Sequence, residues 1–312
     1  MSSLLINDLE NDELDLVKLV CTDANDFNQY LIFKASNDSL FALNVSKIEE
    51  VMVFDKNLQI AKNSDSSGVI HGTADIRESM TTVVYFDDWF GNSHLDDSEY
   101  ELIILVNYGG QKVGIIVKGV LNITTIEADT MSENSHNDNK TTFVSKIHIE
   151  GREQICTVYD GDQMLLDIFG SVKYKTGVQV NQNDILALKN RVVYFADDSK
   201  LVRSLVEDLF NRLKLTYKVF SDGSFLIEYL EKNPEEKVDM IITDLEMPKM
   251  GGREVVSKIR ENSLYNDVPV LVHTNMANDI MDEELLNIGT NVVIGKMDMQ
   301  ELSRVILREL TL

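Results

Sequence analysis

From Gln29 to about Gly170 the chain places short apolar runs between turn residues at close intervals, the pattern of an all-β region. Strands are predicted over Tyr30–Phe33, Leu40–Leu43, Ile48–Met52, Thr82–Phe86, Leu102–Val106, Lys112–Val117 and Gln154–Val158. Beyond Arg191 the period changes. Apolar runs of strand length, each ending in a polar residue, alternate five times with amphipathic stretches such as the one carrying Leu201, Val202, Leu205, Val206, Leu209 and Leu213. That alternation predicts a parallel sheet with helices on both faces. The chain is therefore read as multidomain, with an all-β domain over 26–171, a polar linker over 172–189 that runs into a short helix at Asp184–Leu188, and an α/β domain over 190–312. Residues 1–25 alternate acids with leucines, which suits a short amphipathic helix or a solvated tail. The polar stretch Met131–Thr142 reads as a surface loop, and Asp298 with Glu301 three residues on predicts a capped last helix.

The 312 residues carry a formal net charge of −23, with 29 basic against 52 acidic side chains. Lys and Arg contacts to phosphate supply most non-specific nucleic-acid affinity, so this balance argues against nucleic acid as a partner. No apolar run approaches the roughly 20 residues that span a bilayer. The acidic N-terminal stretch has no secretory pattern, and a cytoplasmic protein without direct membrane insertion is expected. Cys21 and Cys156 have no metal or redox spacing and read as reduced thiols.

The chemistry lies at the strand ends of the second domain. Asp197 and Asp198 follow the run Arg191–Ala196, Asp244 follows Val238–Thr243, Thr274 closes Val270–His273, and Lys296 follows Val292–Gly295. Taken singly these are ordinary residues: adjacent acids before a helix are usually caps, and a lone lysine is usually solvated. Ligands of open α/β sheets, however, bind at the carboxyl ends of the strands, where all five would converge. Three carboxylates about 4 Å apart repel by roughly 4 kcal/mol per pair at an effective dielectric near 20, and a divalent cation relieves that strain. Mg²⁺, with its oxygen ligands and retained waters, suits such a set.

The Asp197-Asp198 pair, the run Asp244-Leu245-Glu246-Met247-Pro248-Lys249-Met250-Gly251-Gly252, Thr274 and Lys296 resemble the response-regulator receiver family in order. They also resemble it in spacing, with separations of 30 (274 − 244) and 22 (296 − 274). The resemblance implies a (βα)5 flavodoxin-like fold in which Asp244 accepts a phosphoryl group from a phosphohistidine. It also implies Mg²⁺ held by Asp198 and Asp244, by Asp197 through water and by the Glu246 backbone carbonyl. Lys296 would offset phosphoryl charge, and the Thr274 hydroxyl would act as the switch. Two positions depart from the family: Val293 replaces an aromatic residue, and Met297 stands where proline usually follows the lysine.

In the first domain, Gln29–Phe33, Phe41–Val51, Val69–Arg77, Gly114–Val120 and Ile155–Asp160 resemble the CheW scaffold family, which implies two small SH3-like β-barrel subdomains. Arg77 falls where that family has an arginine implicated in partner contacts, although Glu78 replaces the glycine that usually follows.

A CheW-like domain joined to a receiver is similar to the CheV chemotaxis coupling family. This implies an adaptor, not an enzyme, that links chemoreceptor tips to the histidine kinase CheA, is modulated at Asp244, and reaches membrane receptor arrays through its partners. Three alternatives stand beside this reading: a phosphate sink for the kinase; a metal-dependent small-molecule phosphohydrolase, for which the chain shows no cap domain or positioned second acid after Asp244; and a pure scaffold with a degenerate receiver, against which the retention of all five positions argues.

Overall fold

The computed structural model describes residues 29–62, 69–108, 111–127, 130–133, 139–149, 151–169, 181–275, 279–296 and 298–311. The segment 1–25, Cys21, Met297 and most of the expected linker lie outside them. Two six-stranded sheets make up the first domain. One has the order β10-β11-β12-β2-β1-β9, built from β1 (Gln29–Lys34), β2 (Leu40–Asn44), β9 (Gly119–Thr125), β10 (Ser132–Glu133), β11 (Thr141–Ile149) and β12 (Arg152–Tyr159). The other has the order β3-β7-β8-β6-β5-β4, built from β3 (Ile48–Val53), β4 (Ile60–Ala61), β5 (Gly72–Ile76), β6 (Ser79–Tyr85), β7 (Leu102–Tyr108) and β8 (Gln111–Val117). Each sheet contains one parallel pair, β12 with β2 and β6 with β8, among antiparallel neighbours.

The two sheets share a core in which Phe33, Phe41, Phe86, Trp89 and Tyr159 meet edge to face. Burying a Phe or Leu side chain contributes about 1.5–3 kcal/mol, so this shared core helps to hold the two sheets together. Two helices join the strands: α1 (Phe86–Phe90), which begins where the sequence predicts the last residue of a strand, and α2 (Gly161–Phe169). Tyr85 has its hydroxyl on Asp97 and stays in the sheet, while Phe86 turns into the shared core. The stretch read as a surface loop, Met131–Thr142, instead holds β10 and the start of β11.

After α3 (Gln182–Ala187), capped by a reciprocal Asn181–Asp184 box, comes the α/β domain. Its strands are β13 (Val192–Ala196), β14 (Thr216–Phe220), β15 (Met240–Thr243), β16 (Val270–Thr274) and β17 (Val292–Gly295), all parallel and in the order β14-β13-β15-β16-β17. Central strands read as continuous apolar runs because both faces are covered. On one face α4 (Lys200–Leu213) and α8 (Met299–Thr311) pack around Phe195, Ile242 and Leu271. On the other, α5 (Gly223–Lys232), α6 (Gly252–Glu261) and α7 (Asp279–Asn287) enclose Tyr194, Ile241 and Val272. The strand order reverses between β13 and β15, which opens a crevice at their carboxyl ends. Among the described residues no helix is long and apolar enough to cross a membrane.

Candidate functional site

Backbone pairing aims each strand end at the crevice. Asp197 N–H donates to the Phe220 carbonyl at 3.1 Å, Asp244 N–H to Ala196 at 2.8 Å, and Lys296 N–H to Thr274 at 3.1 Å, so these residues stand where the ladder runs out. The helix after β13 is capped by Ser199, whose hydroxyl accepts from Val202 N–H at 3.2 Å, which leaves Asp198 free of capping duty. Asp197 Oδ1 accepts the Ser199 N–H at 2.9 Å, and its other oxygen turns inward. The result is that Asp197, Asp198 and Asp244 each offer an oxygen within 4.8 Å of the others.

The loop after Asp244 is held from two sides. Asp222, the cap of α5, accepts backbone N–H groups from Ser224 at 2.8 Å, Lys249 at 2.8 Å and Met250 at 3.1 Å. Gly252 starts α6 against the end of the strand that carries Asp244: a Cβ there would lie 2.4 Å from the Asp244 carbonyl oxygen, a distance real Cβ atoms essentially never show. The glycine of the motif is thus a requirement of close backbone approach.

Lys296 supplies the positive charge. Its Nζ is 2.8 Å from Asp244 Oδ2 and 3.1 Å from Asp197 Oδ2, and no other partner among the described residues reaches either oxygen. Burial pushes the Asp244 carboxyl up to about 7 against the pull of Lys296, with the Asp198 charge adding to the rise. Burial likewise lifts Asp197 well above the ordinary carboxylate range, with Lys296 opposing. The Lys296 ammonium is held well above its usual value: burial works against it, and Asp162, Asp197 and Asp244 together outweigh burial. Thr274 ends β16 beside Gly295, fully buried next to the lysine strand.

Three residues of this site give little signal in the sequence. Asp162, in the first turn of α2, places Oδ2 3.4 Å from Lys296 Nζ and accepts the Asn275 amide at 2.8 Å on Oδ1. Lys47, in a 3-10 turn after β2, lies 3.7 Å from Glu246 Oε2, so the Glu246 side chain faces the first domain. His273 is buried beneath the crevice with neither ring nitrogen hydrogen-bonded among the described residues, and burial, then the Lys296 charge, lowers it to about 3. The Asp160-x-x-Gln163 spacing does carry a helix-start signature for α2, realised as a Gln163 N–H bond to Asp160 Oδ1 at 3.0 Å.

Arg77 is not part of this cluster. It lies in the turn between β5 and β6 with φ 53°, followed by Glu78 with φ 61°, and its guanidinium meets Glu50 at 2.8 Å. Both turn positions adopt the left-handed conformation that favours glycine or asparagine, so the residue is a turn residue and not a strand end. Val293, at the position that departs from the receiver pattern, sits half-buried in β17 opposite Val272.

Residues 29–169 match the CheW-like domain family and residues 193–307 the response regulator receiver domain family. Chemotaxis protein CheV1 of Helicobacter pylori is 27% identical over 305 residues, spanning 89% of this chain and 92% of its own length. CheV2 and CheV3 of the same organism are 24% and 22% identical, and each alignment covers at least 95% of this chain. A CheW-like domain followed by a receiver, aligned nearly end to end with three CheV proteins, makes this chain a member of the CheV family.

Proposed function

We propose that the protein is a chemotaxis adaptor whose CheW-like domain couples chemoreceptor tips to the histidine kinase CheA, and whose receiver modulates that coupling through phosphorylation of Asp244. The observation that carries the reading is the convergence of Asp197, Asp198 and Asp244 within 4.8 Å, with Lys296 2.8 Å from Asp244.

In this reading the Asp244 carboxylate attacks phosphorus, the P–N bond of a phosphohistidine breaks, and imidazole leaves. Lys296 then pairs with a phosphoryl oxygen, while the Thr274 hydroxyl at the neighbouring strand end donates to the acyl phosphate. Asp244 must be ionised to attack, so Lys296 does double duty by opposing the rise that burial imposes on the carboxyl and by receiving the new charge.

The residues fit a hard divalent cation. Three carboxylates share one small volume, and among the described residues the inward oxygens of Asp197 and Asp244 have only the Lys296 ammonium as a partner. Asp198, Asp244, Asp197 and the Glu246 backbone carbonyl would hold Mg²⁺. When bound, Mg²⁺ neutralises charge on the carboxylates and on the transferred group. Arg77, exposed on its turn, is the proposed contact for a partner in the receptor array.

Incubation with acetyl phosphate and Mg²⁺, read by intact mass, tests the site: one labile phosphate on the intact chain and none on Asp244→Ala is expected. Sustained release of inorganic phosphate would favour a hydrolase, and an unmodified chain a pure scaffold. Capture of CheA and a receptor tip, compared between intact protein and Arg77→Ala, tests the adaptor half.

A further inference from the structure

The receiver crevice does not open to solvent alone; the CheW-like domain covers it. Asp162 reaches in from α2 to pair with Lys296 and Asn275, and Lys47 pairs with Glu246 across the same boundary. The group is deeply enclosed: Asp162 is 4% exposed, Asp244 1% and Asp197 0%. The gap that remains between the domains beside Asp198, Glu246 and Pro248 has a volume of about 20 Å³, room for about one water molecule. A phosphodonor needs far more.

We infer that the CheW-like domain is the receiver's internal competitor: Asp162 occupies the Lys296 ammonium that a phosphoryl group on Asp244 requires, so docking of the two domains and phosphorylation exclude each other. This rests on the reading of Asp244 as phosphoacceptor. The chemistry is one of shared charge. Lys296 already contacts three carboxylates, one of them from the CheW-like domain. A phosphoryl group adds roughly −1.5 to −2 charges at neutral pH, beside Asp162 and within the same enclosure as Asp160. Lys296 cannot serve both anions, and the weaker, carried on a separate domain, is displaced. Phosphorylation therefore undocks the domains and uncovers the CheW-like surface around Tyr30, Lys47 and Asp162, which converts a local modification into a change of exposed scaffold surface.

The test uses the full chain with acetyl phosphate and Mg²⁺, in which an Asp244 carboxylate oxygen bonds to phosphorus and acetate leaves. Phosphorylation rate is read by intact mass, and domain separation by small-angle X-ray scattering before and after modification. Asp162→Asn is expected to take phosphate at least fivefold faster than the parent and to be extended beforehand; the parent is expected to extend only on phosphorylation. Lys47→Glu, which turns the Glu246 contact repulsive without touching Lys296, is expected to do the same and covers the case in which the Asp162 variant fails to fold. Phosphorylation of both variants at the parent rate, with unchanged scattering on modification, would overturn the lock and leave the phosphoacceptor reading intact. Absence of phosphate on every variant, Asp162→Asn included, would overturn both.

Discussion

Asp244 is predicted to destabilise the metal-free fold at neutral pH, and its charge should be visible as a pH-dependent loss of stability. Its carboxyl rises from an ordinary 3.8 to about 7, chiefly through burial. Because the folded value lies above the unfolded one, the folded chain binds the proton more tightly. The associated stability is complete below about pH 4 and is lost as pH climbs to 7. Each pH unit of displacement is worth about 1.36 kcal/mol, so the ionised, metal-free receiver forgoes about 4 kcal/mol. Asp244→Asn keeps the shape and removes the charge. Under chelation the variant should match the parent near pH 4 and exceed it by about 4 kcal/mol above pH 7, roughly 15 °C in the receiver transition by calorimetry. Added Mg²⁺ should stabilise the parent, by about 2.7 kcal/mol at a hundredfold excess over its dissociation constant, and leave the variant nearly unmoved. A variant less stable than the parent at pH 7.5 without metal would refute the reasoning, since it would mean that the Lys296 contact outweighs burial.

Three further outcomes follow from the packing. Asp222→Ala removes the acceptor for three backbone N–H groups and should cost about 2–3 kcal/mol in urea denaturation, with the 248–251 loop losing hydrogen-exchange protection. Gly252→Ala places a methyl 2.4 Å from the Asp244 carbonyl oxygen, so backbone must move. Phosphate uptake should fall at least tenfold while the CheW-like domain melts as before. Glu78→Gly relieves a left-handed non-glycine residue and should stabilise the CheW-like domain by about 1 kcal/mol, seen as a higher unfolding midpoint in urea; an unchanged midpoint would show the turn to be unstrained.

The receiver was legible because its signals are local. Each candidate side chain stands at the end of an apolar run, and the sheet topology carries these five residues, at four strand ends, to one edge without further information. Asp298 caps α8 as its spacing with Glu301 indicates, through a Glu301 N–H bond at 3.0 Å. The CheW-like half was read less completely. β9 has no fully buried residue, so its sequence Gly119–Thr125 lacks the alternation that marks a half-buried strand. β11 begins inside a polar stretch because Thr141, Thr142 and Ser145 are buried with hydroxyls that can find partners, as Thr142 does on the Val158 carbonyl at 3.2 Å. Helix α1 is five residues long, too short for a helical period to show.

The boundary between the domains left the faintest trace in the sequence, and the reason is physical. Periodicity reports which face of an element is apolar, whereas this contact is made by charged side chains on 3-10 and helix-start positions that any solvated surface would carry. Its composition also sets its strength. Closing the domains brings Asp160 and Asp162 towards Asp197, Asp198, Asp244 and Glu246, with only Lys47 and Lys296 among the described residues to balance them at these contacts. At an effective dielectric near 20 a unit pair 4 Å apart is worth about 4 kcal/mol of either sign, so attraction through two ammonium groups and repulsion among the acids nearly offset. An apolar interface of the same extent would not respond to one added phosphate. One held by a shared lysine does, because every anion in the crevice draws on the same positive charge.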